Sequence, residues 1–214
     1  MGVLRRPAVA RYKHLTPGMV ATLCLAVVAV ALMVLSIVKF TRHSDVERML
    51  HRGFELFIAL HGHPQEALSA EWYSRRQMLQ APASRGAGSF TSSTEYFRAL
   101  VTNGYLTVDY GFFAAPGVLP YEGKDPAGFT SQHNAWCVVA GIDRQHPERR
   151  LPLFFSKNLR ITNLAQSAEC SLSGEPFGDE CVVVYSDGTG AVLQPAQLVL
   201  EFSPEGATNT VLRP

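Results

Sequence analysis

The stretch MVATLCLAVVAVALMVLSIV, Met19–Val38, holds twenty residues without a charge, an amide or a proline. At 1.5 Å of rise per residue such a helix covers roughly 30 Å, the thickness of a bilayer's hydrocarbon core. Three readings fit this segment: a cleaved secretory signal, a permanent anchor, and the processed N-terminus of an assembling helix. Against the signal stand its length and its end, Ile37-Val38-Lys39-Phe40, which offers no small-x-small cleavage site. Lipid attachment has no motif either. Cys24 lies near the start of the apolar run rather than after it, and Gly2 is followed by Val3-Leu4-Arg5-Arg6.

On its N-terminal side the run is preceded by a leader, residues 1–18, with four basic residues (Arg5, Arg6, Arg11, Lys13) and no acidic one. That asymmetry places the N-terminus in the cytoplasm and the remainder outside it. With 19 basic and 18 acidic residues in all, the chain beyond the run keeps 15 against 18, about −3, and no nucleic-acid partner is expected. A composition of 47% hydrophobic and 17% charged residues over 214 positions excludes a disordered or low-complexity chain.

On the C-terminal side the apolar run passes without a breaker into an amphipathic pattern. Val46, Met49, Leu50, Gly53, Phe54, Phe57 and Ile58 recur at helical spacing, with Asp45, Glu47, Arg48, Arg52 and Glu55 between them. One helix is expected from Met19 to His61, on the order of 65 Å long, stopped by Gly62 and Pro64. A second helical stretch, Gln65 to Leu79, leads to the small-residue loop Ala81 to Gly88. Ser92-Ser93-Thr94-Glu95 has capping-box spacing and opens a short helix, Ser93 to Thr102, which Asn103-Gly104 ends.

From Tyr105 onward the pattern is one of strands and turns. Ala135 to Ile142 and Leu151 to Phe155 are short apolar runs, and Cys181 to Ser186 joins Gly190 to Leu193 across Asp187-Gly188, a hairpin pair whose residues tolerate positive φ. Gln197 to Phe202 is expected as a last strand before a frayed polar tail. The Pro- and Gly-rich loop Ala114 to Gln132 is long enough to be functional or loosely ordered. Cys170 and Cys181 enclose SLSGEPFGDE, a stretch that can close on itself; a disulfide there would stabilise by roughly 2 to 3 kcal/mol. The alternative is two thiols. Cys137 is expected in a buried strand and Cys24 on the membrane helix.

Candidate chemistry is sparse. His43, His51, His61 and His63 lack a carboxylate or cysteine at metal-ligand spacing and suit helix-end and surface roles. His133 and His146-Pro147-Glu148 fall in turns, with no Cys-x-x-Cys to make a zinc motif. Gly86-Ala87-Gly88-Ser89 forms neither a nucleophile elbow nor a phosphate cradle. Asp187, with Asp179-Glu180 nearby, suggests calcium, yet that ion wants six to eight oxygens and the turn alone explains the aspartate. No catalytic residue, metal or cofactor is expected. Trp72, Tyr73, Tyr96, Phe97, Phe112, Phe113, Tyr121, Phe154 and Phe155 are core candidates; joint exposure of Phe112, Phe113 and Tyr121 would mark a docking face.

The order of basic leader ending in glycine, apolar helix, amphipathic extension and small sheet domain closing in an Asp-Gly hairpin resembles the type IV pilin-like proteins, especially pseudopilins of type II secretion systems. The region Thr91 to Phe113 and the strand around Trp136 share that likeness. The resemblance implies an α+β, pilin-like fold: a long N-terminal transmembrane-plus-amphipathic helix packed on a small antiparallel sheet, divided as 1–18 leader, 19–38 span, 39–62 amphipathic extension and 63–214 extracytoplasmic domain. It also implies a prepilin processing junction at Gly18-Met19, storage in the bacterial inner membrane, and homo- or hetero-oligomers formed through the helix with other pilin-like or secretion-system proteins. Family members carry Thr at the second and Glu at the fifth position after the cut, where this sequence has Val20 and Leu23. That glutamate pairs with a neighbour's first amine, so its replacement points to a minor or tip component, or to a plain anchor carrying a binding module that never assembles.

Overall fold

A computed structural model describes residues 17–61, 90–142, 150–165, 169–205, 207 and 209–214. The chain divides between Thr41 and Arg42 into two compact units. A single helix, α1 (Pro17–His61), contributes to both. It starts with proline in its first turn, where the missing amide has no intrahelical partner to lose. In the first unit the apolar side chains of α1 stand exposed, Leu25 at 71% and Met33 at 66%. Thr22, Ser36 and Thr41 turn their hydroxyls back to carbonyls one turn earlier, so the segment carries its polar groups internally satisfied.

The second unit is built on a five-stranded antiparallel sheet. Its strands are β1 (Trp136–Val139), β2 (Pro152–Ser156), β5 (Cys181–Tyr185), β6 (Gly190–Leu193) and β7 (Val211–Leu212), in spatial order β6-β5-β2-β1-β7. A separate pair, β3 (Leu159–Arg160) and β4 (Ser171–Leu172), lies between them in sequence. Both faces of the sheet are covered, which is why β1 and β5 read as unbroken apolar runs rather than alternating ones. Trp136, Val138, Val182 and Val184 point to one face with Val46, Met49, Leu56 and Leu60 of α1. Cys137, Val139, Cys181, Val183 and Tyr185 point to the other. A register shift in β2 between Pro152 and Phe154 sends both Leu153 and Phe154 to the α1 face, while Phe155 serves the opposite one.

The helix α2 (Ser93–Thr102) forms over the expected span. Ser92 Oγ accepts from the Glu95 amide at 3.1 Å, and the Glu95 carboxylate reaches back to the Thr91 amide and hydroxyl, each at 2.9 Å. Those bonds hold the Glu95 carboxyl below its ordinary pKa, the Thr91 amide foremost. Gly104, at φ +72°, supplies the left-handed residue that ends the helix. A buried polar network fixes α2 to β1: Ser93 Oγ donates to the Trp136 carbonyl at 2.7 Å, and Asn134 bonds Ser93, Thr94 and the Trp136 amide. Phe97, Phe113, Phe129 and Tyr110 stack beneath, with ring centroids 4.6 Å apart for Phe97–Phe113 and 4.8 Å for Tyr110–Phe129.

Two expectations near the C-terminus are corrected. The segment expected as a final strand is a helix, α3 (Pro195–Phe202). Proline opens it, Gln194 and Gln197 cap it reciprocally, and Leu198 and Phe202, four apart, are buried while Val199 and Leu200 stay exposed. The tail expected to fray returns to the sheet: Val139 pairs with Val211 and Val138 with Leu212. The helix expected at Gln65–Leu79, the loop Ala81–Gly88, and Gly62, His63, Pro64, Trp72, Tyr73 and His146-Pro147-Glu148 lie outside the described residues.

Candidate functional site

The features that bear on function are distributed along α1 and the elements it touches. The helix is long and apolar enough to cross a membrane, and its most apolar window has no buried part. Gly18 and Met19 lie near the start of the described part of α1, and both are exposed. Thr22 Oγ1 donates to the Gly18 carbonyl at 3.0 Å. The junction that the sequence singles out is therefore exposed and not inside a core.

Further along, α1 is seated at Gly53. A Cβ there would lie 2.6 Å from Val184 Cγ2 and 2.9 Å from the Trp136 ring, so glycine is what lets the helix axis approach β1 and β5. Leu50 and Phe54 cover Gly190 at the open edge of β6, and Phe57 covers Gly188 in the hairpin. That hairpin forms where Asp187-Gly188 predicts it, but only glycine takes a positive φ, +83° at Gly188, and no described non-glycine residue does. Asp187 acts through its side chain instead: Oδ1 accepts from the Thr189 amide at 2.9 Å and hydroxyl at 2.7 Å.

Arg42, the first residue of the second unit, reaches the loop before β5. Its guanidinium donates to the Phe177 carbonyl and pairs with Asp179, and Nε lies 3.6 Å from Glu180. Glu180 in turn accepts from Gln194 Nε2 at 2.9 Å, which ties the start of α3 to the same cluster. Of the three carboxylates considered for calcium, Asp179 and Glu180 thus have an arginine partner. Of the histidines considered for a metal, His43 and His51 each face a glutamate four residues on, Glu47 at 3.2 Å and Glu55 at 3.3 Å, on the exposed side of α1. Among the described residues no three His, Cys, Asp or Glu side chains group as a metal site.

The cysteine expectation is also corrected, because no disulfide joins Cys170 to Cys181. Cys181 begins β5 opposite Leu193 and turns into the core, where Ser156 Oγ donates to its sulfur at 3.5 Å; Cys170 precedes β4 in the other sheet and is half-buried. Burial pushes the Cys137 and Cys181 thiols up to about 12, and raises that of Cys170. Protonated, enclosed thiols of this kind are poor nucleophiles and poor ligands. Desolvation likewise lowers Lys157, and raises the Tyr185 phenol beside Glu201 and under the Arg150 guanidinium, 3.6 Å from its ring.

Joint exposure of Phe112, Phe113 and Tyr121 does not occur: Phe113 is fully buried and the other two are partly buried against the same core cluster. The loop Ala114–Gln132 is ordered around Tyr121, whose ring lies over Gly123 and Gly128 and whose hydroxyl donates to the Asp125 carbonyl at 2.9 Å. In comparison with known proteins, no family model, no curated protein and no solved structure matches the chain.

Proposed function

We propose that the chain is a non-enzymatic, minor pilin-like or pseudopilin-like component of a secretion or pilus-type assembly. The observation that carries this reading is α1 itself: one helix of 45 residues whose first part exposes an apolar surface all round and whose second part is seated through Gly53 on an antiparallel sheet. In this reading lipid covers the apolar part before assembly, and copies of it or of related helices cover it afterwards. The basic leader stays in the cytoplasm of a bacterial inner membrane, the sheet domain lies outside, and its surface selects partners. The Gly18–Met19 bond, between two exposed residues, is the processing junction.

Val20 and Leu23 favour a second reading, an anchored extracytoplasmic binding module that never enters a filament. The two separate on processing. A C-terminally tagged chain produced with a prepilin peptidase is expected to lose its eighteen-residue leader, and a Gly18→Arg variant to keep it. Retention of the leader by both chains would leave the anchored module.

A further inference from the structure

The exposed side of α1 in the second unit carries a row of two alternating side-chain types. His43, Glu47, His51 and Glu55 follow one another at four-residue steps, and all four are exposed. Residues at that spacing are neighbours on a helix surface. Here they meet in pairs: His43 Nε2 lies 3.2 Å from Glu47 Oε1, and His51 Nε2 lies 3.3 Å from Glu55 Oε1. Around a zinc ion with bonds of about 2.0–2.1 Å, adjacent tetrahedral donors stand about 3.3 Å apart. Each pair therefore holds two donors at the spacing of one edge of a zinc tetrahedron. Imidazole with carboxylate suits zinc, whereas magnesium and calcium take oxygen alone. Arg48, beside Glu47 in the chain, is engaged by Asp45 at 3.2 Å.

We propose that His43–Glu47 and His51–Glu55 are two half-sites for zinc, each completed by the same pair of residues from a second copy of the chain. A structural zinc site takes four donors, and among the described residues no third His, Cys, Asp or Glu side chain joins either pair. The remaining donors must therefore come from outside the chain. Copies carried in one bilayer by their apolar runs stand parallel, so residues of equal height meet across a contact. His43 and Glu47 of one copy then face His43 and Glu47 of the next. Without a cation that contact sets carboxylate against carboxylate; with zinc, two imidazoles and two carboxylates supply four donors and balance the charge of the ion. The two pairs are about 12 Å apart along the axis and about 80° apart around it, so one neighbour meets one pair and each copy can engage two neighbours. Zinc binding leaves the sheet in place, because α1 packs on it through Val46, Met49 and Leu56, which the row does not include. The inference rests on the membrane-anchored arrangement that both functional readings share, and not on leader processing.

The test uses the full chain in detergent micelles at about pH 7.5, since a ligating imidazole must be free of its proton. Zinc chloride is titrated in competition with a colorimetric zinc chelator, while light scattering reads the protein mass per micelle. About one zinc per copy is expected, because two half-sites are each shared between two copies. Association into two or more copies accompanies it, is reversed by EDTA and is not produced by magnesium chloride. His43→Ala is expected to halve the zinc bound, and the double variant His43→Ala/His51→Ala to lose both zinc binding and association. Both side chains are exposed, so the variants keep the fold. No zinc uptake, zinc bound without association, or a double variant that responds like the unaltered chain would overturn the proposal. Partition of the zinc-free chain into a detergent phase reads the anchor separately, so failure of the membrane reading is distinguished from failure of the zinc site.

Discussion

The two parts of α1 share one backbone geometry and differ in which side chains they hide. From Gly18 to Thr41 every described side chain is exposed; from Arg42 on, Val46, Met49, Gly53, Leu56 and Leu60 are buried and Glu47, His51 and Glu55 are not. A helix apolar on all sides needs an apolar solvent, and a striped one needs a surface to lie on. The contrast teaches that composition sets the destination of the first part, whereas spacing sets that of the second. It also explains why a glycine, costly within an isolated helix, belongs at position 53: the lower part gains its stability from close approach to the sheet rather than from helix propensity.

The largest way to break the comparison is through the seat of the second part. Trp136 is fully buried beneath Gly53, and Trp136→Ala is expected to lower unfolding stability by about 3–5 kcal/mol in denaturant titration. Next is a charge in the first part. Val28→Asp is expected to cost about 3 kcal/mol of membrane insertion, read as increased release in carbonate extraction. Ile58→Asp, on the exposed side of the second part, is expected to change stability by less than ~0.5 kcal/mol. Smaller than the Trp136 and Val28 effects is Gly53→Ala. The methyl group gains about 1 kcal/mol of helix propensity but overpacks against Val184 and Trp136 by about 1–3 kcal/mol, for a net loss of up to about 2 kcal/mol. Smaller again is Arg42→Gln, which removes a half-exposed ion pair and is expected to cost under ~1 kcal/mol while increasing exchange in the 174–180 loop.

Much of this architecture is legible in the sequence because it rests on local signals. The span of α1, the cap at Ser92, the stop at Gly104 and the Asp187-Gly188 hairpin are each set by residues within a turn of one another. The misread elements depend on other information. Leu198-Val199-Leu200-Glu201-Phe202 has the β-like density of a strand, and only Pro195 with the Gln194–Gln197 cap marks it as helix. β7 is two residues long and exists because β1 offers an open edge far away in sequence. The Arg42 cluster joins residues more than 130 positions apart, which no spacing rule reaches. Gly53, by contrast, left a trace: an isolated glycine in an apolar helical stripe signals a packing requirement. Cys170 and Cys181 are close in sequence and pack on the same core cluster, but only Cys181 lies in a strand and no disulfide joins them.

The central claim, that the apolar part of α1 is a processed assembly helix, is tested most directly by the N-terminal residue of the native protein extracted from its membrane, read by mass spectrometry of the intact chain and its N-terminal peptide. A start at Met19, carrying an N-methyl group, is expected. A start at Met1 or Gly2 would contradict it and leave the same helix as a permanent anchor.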